Sequence, residues 1–200
     1  MALAGCGSLV AWARGRDWAL SFRDDLRTGR NGGMAGQPFI YSGQGFSLQR
    51  DKNRFVLPNV LRATVRESSG KDMLLIAKHP EWKCLVGFGT SRVAEFEAQL
   101  DAEQARADTA GQPFNRDKRA MALYTFQSVP FDGSGRFVMP DALAALGAVD
   151  DRLYFQGLGR SFTIWNPAEL YAHEGDAEFE ASIATCRALE LAETAKAKKK

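Results

Sequence analysis

A five-residue motif occurs twice in this 200-residue chain and constrains its fold more than any other feature. The sequence RFVLP at residues 54–58 recurs as RFVMP at residues 136–140, 82 positions later. In each copy an arginine follows a polar loop, a short apolar strand comes next, and a proline ends the strand before a predicted helix. A repeat defines the structural unit of a chain. We therefore predict two copies of one small βα module.

The charge of the chain is informative only locally. The composition, 45% hydrophobic and 25% charged, is sufficient for a globular core. The formal net charge of +2 depends on an arginine-rich leader and a lysine-rich C-terminal tail. A local basic cluster can bind a polyanion where the total charge would not. Such a cluster lies in residues 50–66 and consists of Arg50, Lys52, Arg54, Arg62 and Arg66.

The ends of the chain differ in composition from the two copies. We expect residues 1–33 to be a disordered leader, and we leave open whether translation starts at Met34 or the leader is a basic arm. The first half is predicted at residues 34–107, including a linker helix, and the second half at residues 108–175. Residues 176–200 are predicted to form a C-terminal helix and a solvated lysine tail.

The pattern within each half predicts a strand, the motif loop and strand, a helix and a hairpin. The hairpins are expected at 73–77 with 84–88 and at 153–156 with 162–165. Between the halves, residues 91–106 and 116–126 have helical spacing and form the expected insertion.

The residues that could carry catalysis are few. His79 and Cys84 could be imagined as a nucleophile pair, but a thiol beginning an apolar strand is expected to be buried, and His79 is expected in an exposed turn. No spacing of Cys, His or carboxylates provides the ligands of a zinc site. The glycines near 133–135 precede a strand, whereas a phosphate loop precedes a helix. We expect no catalytic site, no metal site and no cofactor.

Compartment is predicted from the cysteines and the hydropathy pattern. Three widely spaced cysteines fit reduced thiols in a cytosol better than a disulfide framework. No segment approaches the roughly 20 apolar residues that span a bilayer. A cytoplasmic protein is therefore expected.

The basic loop of the first copy has two interpretations. Arg50, Lys52 and Arg54 alternate, so on an extended segment all three would project to one side. Convergent cations neutralise phosphates, and arginine can also bind guanine with two hydrogen bonds. The alternative is a solvated turn in which Arg54 pairs with Asp51. The residues alone favour neither.

Both motif copies together resemble the MraZ family, bacterial regulators of the cell-division and cell-wall gene cluster with two AbrB-like (SpoVT-AbrB type) halves. The resemblance covers residues 34–174. An Asp-x-x-x-Arg loop precedes each strand in that family, and the second copy matches it with Asp132, Gly135 and Arg136. The first copy departs from it, since Arg50 stands where the family has Asp and Asn53 where it has Gly.

The resemblance implies an α+β fold with a mostly β core, in which two AbrB-like modules form a pseudo-dimeric swapped-hairpin barrel with inserted and C-terminal helices. It further implies a nucleoid-associated ring homo-oligomer that binds direct repeats of double-stranded promoter DNA and represses its own operon. From the charge, we expect Arg50, Lys52 and Arg54 to contact DNA, with Arg62 helping along the backbone. Residues 132–152 carry four Asp against two Arg, so the second half is expected mainly to support packing between subunits.

Two other functions remain as alternatives. A ring-forming assembly scaffold without specific DNA binding would form a stable oligomer and show no salt-sensitive binding to any duplex. A small-ligand enzyme on the same barrel would need a catalytic constellation that the sequence does not contain.

Overall fold

A computed structural model describes residues 38–199 of the chain. The predicted leader at residues 1–33, the proposed start at Met34 and the last lysine of the tail lie outside the described residues. The boundaries proposed between the two halves and the tail remain predictions.

The described part of the chain contains eight strands, which follow the predicted order with small shifts in their ends. The strands are β1 (Gln44–Leu48), β2 (Arg54–Val56), β3 (Met73–Lys78), β4 (Leu85–Phe88), β5 (Phe126–Pro130), β6 (Arg136–Val138), β7 (Arg152–Gly157) and β8 (Phe162–Trp165). Both predicted hairpins form, since β3 pairs with β4 and β7 pairs with β8 in antiparallel register.

Six α-helices and a 3-10 helix (Thr90–Glu95) complete the described part. The α-helices are α1 (Asn59–Ser69), α2 (Phe96–Thr109), α3 (Arg116–Tyr124), α4 (Asp141–Leu146), α5 (Pro167–Tyr171) and α6 (Glu180–Ala197). The two motif prolines precede α1 and α4, as the repeat predicts. The helix predicted over 91–106 is interrupted at its start, because its first turn is the 3-10 helix and α2 begins only at Phe96.

The sheet pairing exchanges strands between the two halves. The larger sheet has the order β1-β7-β8-β4-β3-β5, and all its pairs are antiparallel. Strand β1 of the first half lies beside β7 of the second, and β5 of the second half lies beside β3 of the first. Strands β2 and β6 form a separate two-stranded sheet, called the ribbon below. The α+β class with a mostly β core is confirmed, whereas the swapped-hairpin barrel stays a prediction.

The main core lies under the ribbon and takes equivalent residues from both copies. Three such pairs are each 3% exposed or less: Phe55 with Phe137, Leu57 with Met139, and Leu61 with Leu143. Burying one side chain of this size contributes about 1.5–3 kcal/mol. The core is built from the inward residue of each ribbon strand, the residue before each motif proline and the first turn of each following helix. The main structural role of the repeated motif is therefore to pack the core.

A second core lies beneath α6 and includes both cysteines of the described residues. Cys84 and Cys186 are free and buried, and burial raises the pKa of the Cys84 thiol to about 12. This agrees with the prediction of a buried thiol at the start of β4. The prediction of an exposed His79 is wrong, because its ring stacks on Trp82 with centroids 4.4 Å apart and is partly buried.

Within residues 38–199, no helix is both long enough and apolar enough to cross a membrane. In the same range, no three His, Cys, Asp or Glu side chains are grouped so that they could hold a metal ion.

Candidate nucleic-acid interface

The ribbon holds the two motif arginines on one face. Its register places Arg54 opposite Val138, Phe55 opposite Phe137, and Val56 opposite Arg136. Side chains alternate between the two faces of a strand. The phenylalanines therefore point into the core, and both arginines lie on the outer face, where both are exposed.

The first motif loop, residues 50–54, is a tight turn. The Arg50 N–H donates to the Arg54 carbonyl at 3.0 Å, and Asn53 has a positive φ of 53°. Of the two interpretations, the extended one does not hold, because the side-chain alternation that would put the three cations on one side requires an extended segment. The alternative ion pair is present, with Arg54 Nη1 3.3 Å from Asp51 Oδ2. Since both side chains are exposed, this pair stabilises the loop little.

The second motif loop, residues 132–136, is ordered by its carboxylate. Asp132 Oδ1 accepts hydrogen bonds from the Ser134 and Arg136 backbone N–H groups, both at 2.9 Å. Asp132 Oδ2 accepts from Arg136 Nε, also at 2.9 Å. The bond from the Arg136 N–H is the main cause that lowers the pKa of Asp132. The carboxylate thus fixes the loop backbone and the arginine together.

Each motif loop is hydrogen-bonded to the segment that follows the ribbon strand of the other half. The Asn53 carbonyl accepts from the Met139 N–H at 2.7 Å, and Asn53 Nδ2 donates to Asp141 Oδ1 at the start of α4 at 2.6 Å. Correspondingly, the Gly135 carbonyl accepts from the Leu57 N–H at 2.8 Å. The two loops are therefore coupled through the backbone of the ribbon.

Arg62 of α1 lies against the second loop. A Cβ atom built on Gly135 would lie 2.8 Å from Arg62 Nη1, and Arg62 Nη2 donates to Asn59 Oδ1 at 2.8 Å. Sequence order groups this cation with the first loop, whereas the fold places it beside the second. The other helical cation of the cluster, Arg66, is paired with Asp72.

Arg54 and Arg136 also line one depression on the outer face of the ribbon. Its lining consists of Arg54, Pro130, Asp132, Arg136, Phe137 and Val138. Arg50 and Lys52 are exposed but lie outside this lining. The expected division of tasks between the halves finds no support in this arrangement, because one surface carries both motif arginines.

Sequence reasoning missed Val138 and Pro130 as parts of this surface. The signal was present in the repeat itself. If identical RFV segments pair about their phenylalanines, each arginine must lie opposite the valine of the other copy.

Comparison with known proteins finds curated relatives of this chain but no matching family model. No family model matches the chain. Curated relatives do match, and the three that follow are named "Transcriptional regulator MraZ". The protein from Gluconacetobacter diazotrophicus is 30% identical over 120 residues, 58% of this chain and 72% of that protein. The protein from Rhodospirillum rubrum is 31% identical over 62% of this chain and 77% of its own length. The protein from Xanthobacter autotrophicus is 32% identical over 63% and 76%. The chain belongs to the MraZ family.

Membership in the MraZ family confirms the resemblance inferred from the paired motif. The first copy nevertheless departs from the Asp-x-x-x-Arg pattern of the family, and the structure shows the consequence. Arg50 occupies the place that Asp132 has in the second copy, so no carboxylate at that position accepts the loop N–H groups. Asp51, one residue further along, holds Arg54 with a single longer contact. The two MraZ motifs of this chain therefore share a backbone course but differ in how firmly the arginine is held.

Proposed function

We propose that this MraZ-family chain is a DNA-binding transcriptional regulator whose ribbon enters the major groove of promoter DNA. The observation that carries the proposal is the position of Arg54 and Arg136 on one exposed face of the ribbon. A two-stranded ribbon fits the major groove, and arginine is the side chain that most often contacts guanine there.

The surrounding charge supports the same surface. Arg50 and Lys52 are exposed in the first loop and would contact phosphates, and Arg62 would add a cation beside the second loop. These cations have a sequence-independent role, because phosphate contacts position a protein on the duplex. Of the seven residues singled out from the sequence, Asp132 and Gly135 then serve to hold the second loop.

The finer features come from the family resemblance. We propose a ring homo-oligomer that binds direct repeats in the promoter of its own operon and represses it, in the cytoplasm and associated with the nucleoid. A ring offers several equivalent ribbons, so weak single contacts would add through effective concentration. We do not propose an enzyme, since the curated relatives are named as regulators.

The test is DNA binding measured by fluorescence anisotropy, with the region upstream of the protein's own gene and an unrelated duplex. We expect Arg54→Ala and Arg136→Ala each to weaken binding to the upstream duplex by about tenfold, the usual loss for one bidentate base contact. Affinity should also fall steeply as the salt concentration rises.

Lys83→Ala is the control, because it removes an exposed cation, paired with Glu169, from the segment before β4. It should bind as the wild type does, and mass measurement should find the same oligomer in every variant. Equal affinity of the wild type and both arginine variants would contradict the proposal. A stable oligomer without salt-sensitive binding to either duplex would instead favour the assembly scaffold.

A further inference from the structure

The outer face of the ribbon carries two valines as well as two arginines. Arg54 lies opposite Val138, and Arg136 lies opposite Val56, so the arginines occupy one diagonal and the valines the other. Val138 is 51% exposed and lines the depression together with both arginines. A single exposed apolar side chain is ordinary on a protein surface. This one, however, lies within the surface proposed to face DNA.

The major groove offers an apolar side chain one specific partner. Thymine alone presents a methyl group there, while the other base edges present hydrogen-bond donors and acceptors. Directly opposite residues of an antiparallel pair have Cβ atoms about 5 Å apart. Base pairs follow one another at about 3.4 Å. When the Arg54 side chain contacts one base, the Val138 side chain is therefore close to the same or the adjacent base pair.

We propose that Val138 contacts a thymine methyl group in the major groove and makes the DNA-bound ribbon selective for thymine beside the base contacted by Arg54. This inference rests on the proposed function and adds a specificity-determining residue to it. The arginines alone would distinguish guanine from other bases, whereas the valine adds discrimination at a neighbouring position.

Val56 provides the matched comparison within the same chain. It occupies the equivalent place in the first copy and faces the same side of the ribbon, opposite Arg136. It is only partly exposed and is absent from the lining of the depression. Because Val56 is less exposed than Val138, it should make the smaller contact with a base.

The experiment removes the methyl groups of the contact from the thymine and, separately, from Val138. A duplex is first obtained by binding-site selection with the wild-type protein, and each thymine is then replaced singly by deoxyuridine, which lacks the methyl group. Val138→Ser removes both methyl groups and leaves a small polar side chain, which an exposed position should tolerate. Val56→Ser makes the same change at the control position, and Val138→Asn serves as a second variant without a methyl group if the serine protein does not fold.

We expect one deoxyuridine substitution to weaken wild-type binding about fourfold, the loss associated with one buried methyl-sized group. Val138→Ser should bind the thymine and deoxyuridine duplexes equally. Val56→Ser should keep the wild-type ratio.

The inference is overturned if Val138→Ser, or Val138→Asn in its place, retains the wild-type ratio of thymine to deoxyuridine affinity. It is also overturned if no single deoxyuridine weakens wild-type binding. Both results presuppose salt-sensitive binding of the wild type to DNA. Absence of that binding would instead contradict the proposed function itself.

Discussion

Phe55 and Phe137 occupy the same place in the two motif copies and lie directly opposite each other at the centre of the ribbon. Their ring centroids are 6.2 Å apart, and both side chains are buried. Because equivalent residues face each other, the ribbon has approximate two-fold symmetry about this pair. The pair therefore determines where the arginines lie, since each arginine precedes one of the phenylalanines and points to the opposite face.

Replacing either phenylalanine should destabilise the protein strongly and by similar amounts. Phe55→Ala and Phe137→Ala each remove a fully buried ring, which typically costs 3–5 kcal/mol. We also expect the double variant to lose less than the sum of the single losses, because residues in contact are energetically coupled. Urea denaturation of the three variants measures this. Strictly additive losses would show that the two rings contribute independently.

Local sequence signals were sufficient for most elements of the fold. Prolines 58 and 140 mark the start of α1 and α4, and Asn166 caps α5, with its Oδ1 accepting from the Ala168 N–H at 3.0 Å. Each of these signals depends only on residues within about one helical turn of one another, so it can be read from the sequence without knowing the tertiary structure.

Those local signals do not predict which strands pair with each other when the strands are far apart in the chain. The periodicity of β1 indicates a strand but not that its partner is β7, more than a hundred residues later. The position of Arg62 beside Gly135 and the bond from Asn53 to Asp141 depend on the same pairing of the two copies. The sequence was therefore sufficient to predict which charged residues are candidates for the site. That both motif arginines lie on one surface follows only from the register of the ribbon strands.

The two loop carboxylates should have opposite effects on DNA binding. Asp51→Ala and Asp132→Ala each remove one negative charge near a motif arginine, and this alone should tighten binding to phosphates. Asp51 makes only one exposed contact with Arg54, so its removal should tighten binding by up to about fivefold.

Asp132→Ala should instead weaken binding, because Asp132 accepts three hydrogen bonds that order the loop and hold Arg136. Anisotropy with the same duplex and salt measures both variants. A matching increase in affinity for the two would show that the ordering of the second loop does not matter for binding.

The stability of the fold should fall as the pH decreases from about 6.5 to about 4. Burial, assisted by the nearby Lys78 ammonium, lowers the pKa of His79 from 6.5 to about 4. In this range the unfolded chain binds a proton at His79 that the folded chain does not, so protonation favours unfolding. Above the unfolded value neither state binds the proton, and the destabilisation is absent.

His79→Asn tests this contribution. The asparagine Oδ1 can replace His79 Nδ1, which accepts hydrogen bonds from the Glu81 and Trp82 N–H groups at 3.2 and 3.0 Å. The variant loses the stacking on Trp82 and should be less stable than the wild type at pH 7.5. The difference should shrink at pH 5, as measured by urea denaturation. A constant difference across this range would assign the pH dependence to other groups.

Two glycines of the second loop should respond differently to the same substitution. Gly135 has a φ of 83°, and a Cβ atom there would lie 2.9 Å from the Leu57 carbonyl oxygen and 2.8 Å from Arg62 Nη1. An alanine in the left-handed region costs about 1–2 kcal/mol before any contact is counted. Gly133 has no heavy atom within 4 Å of the position of its Cβ, so Gly133→Ala should change stability by less than about 0.5 kcal/mol. We therefore expect a lower denaturation midpoint only for Gly135→Ala, together with weaker DNA binding, because the backbone that presents Arg136 must shift. Equal midpoints for the two variants would show that the loop relaxes freely and that the contact of Gly135 with the first copy does not constrain it.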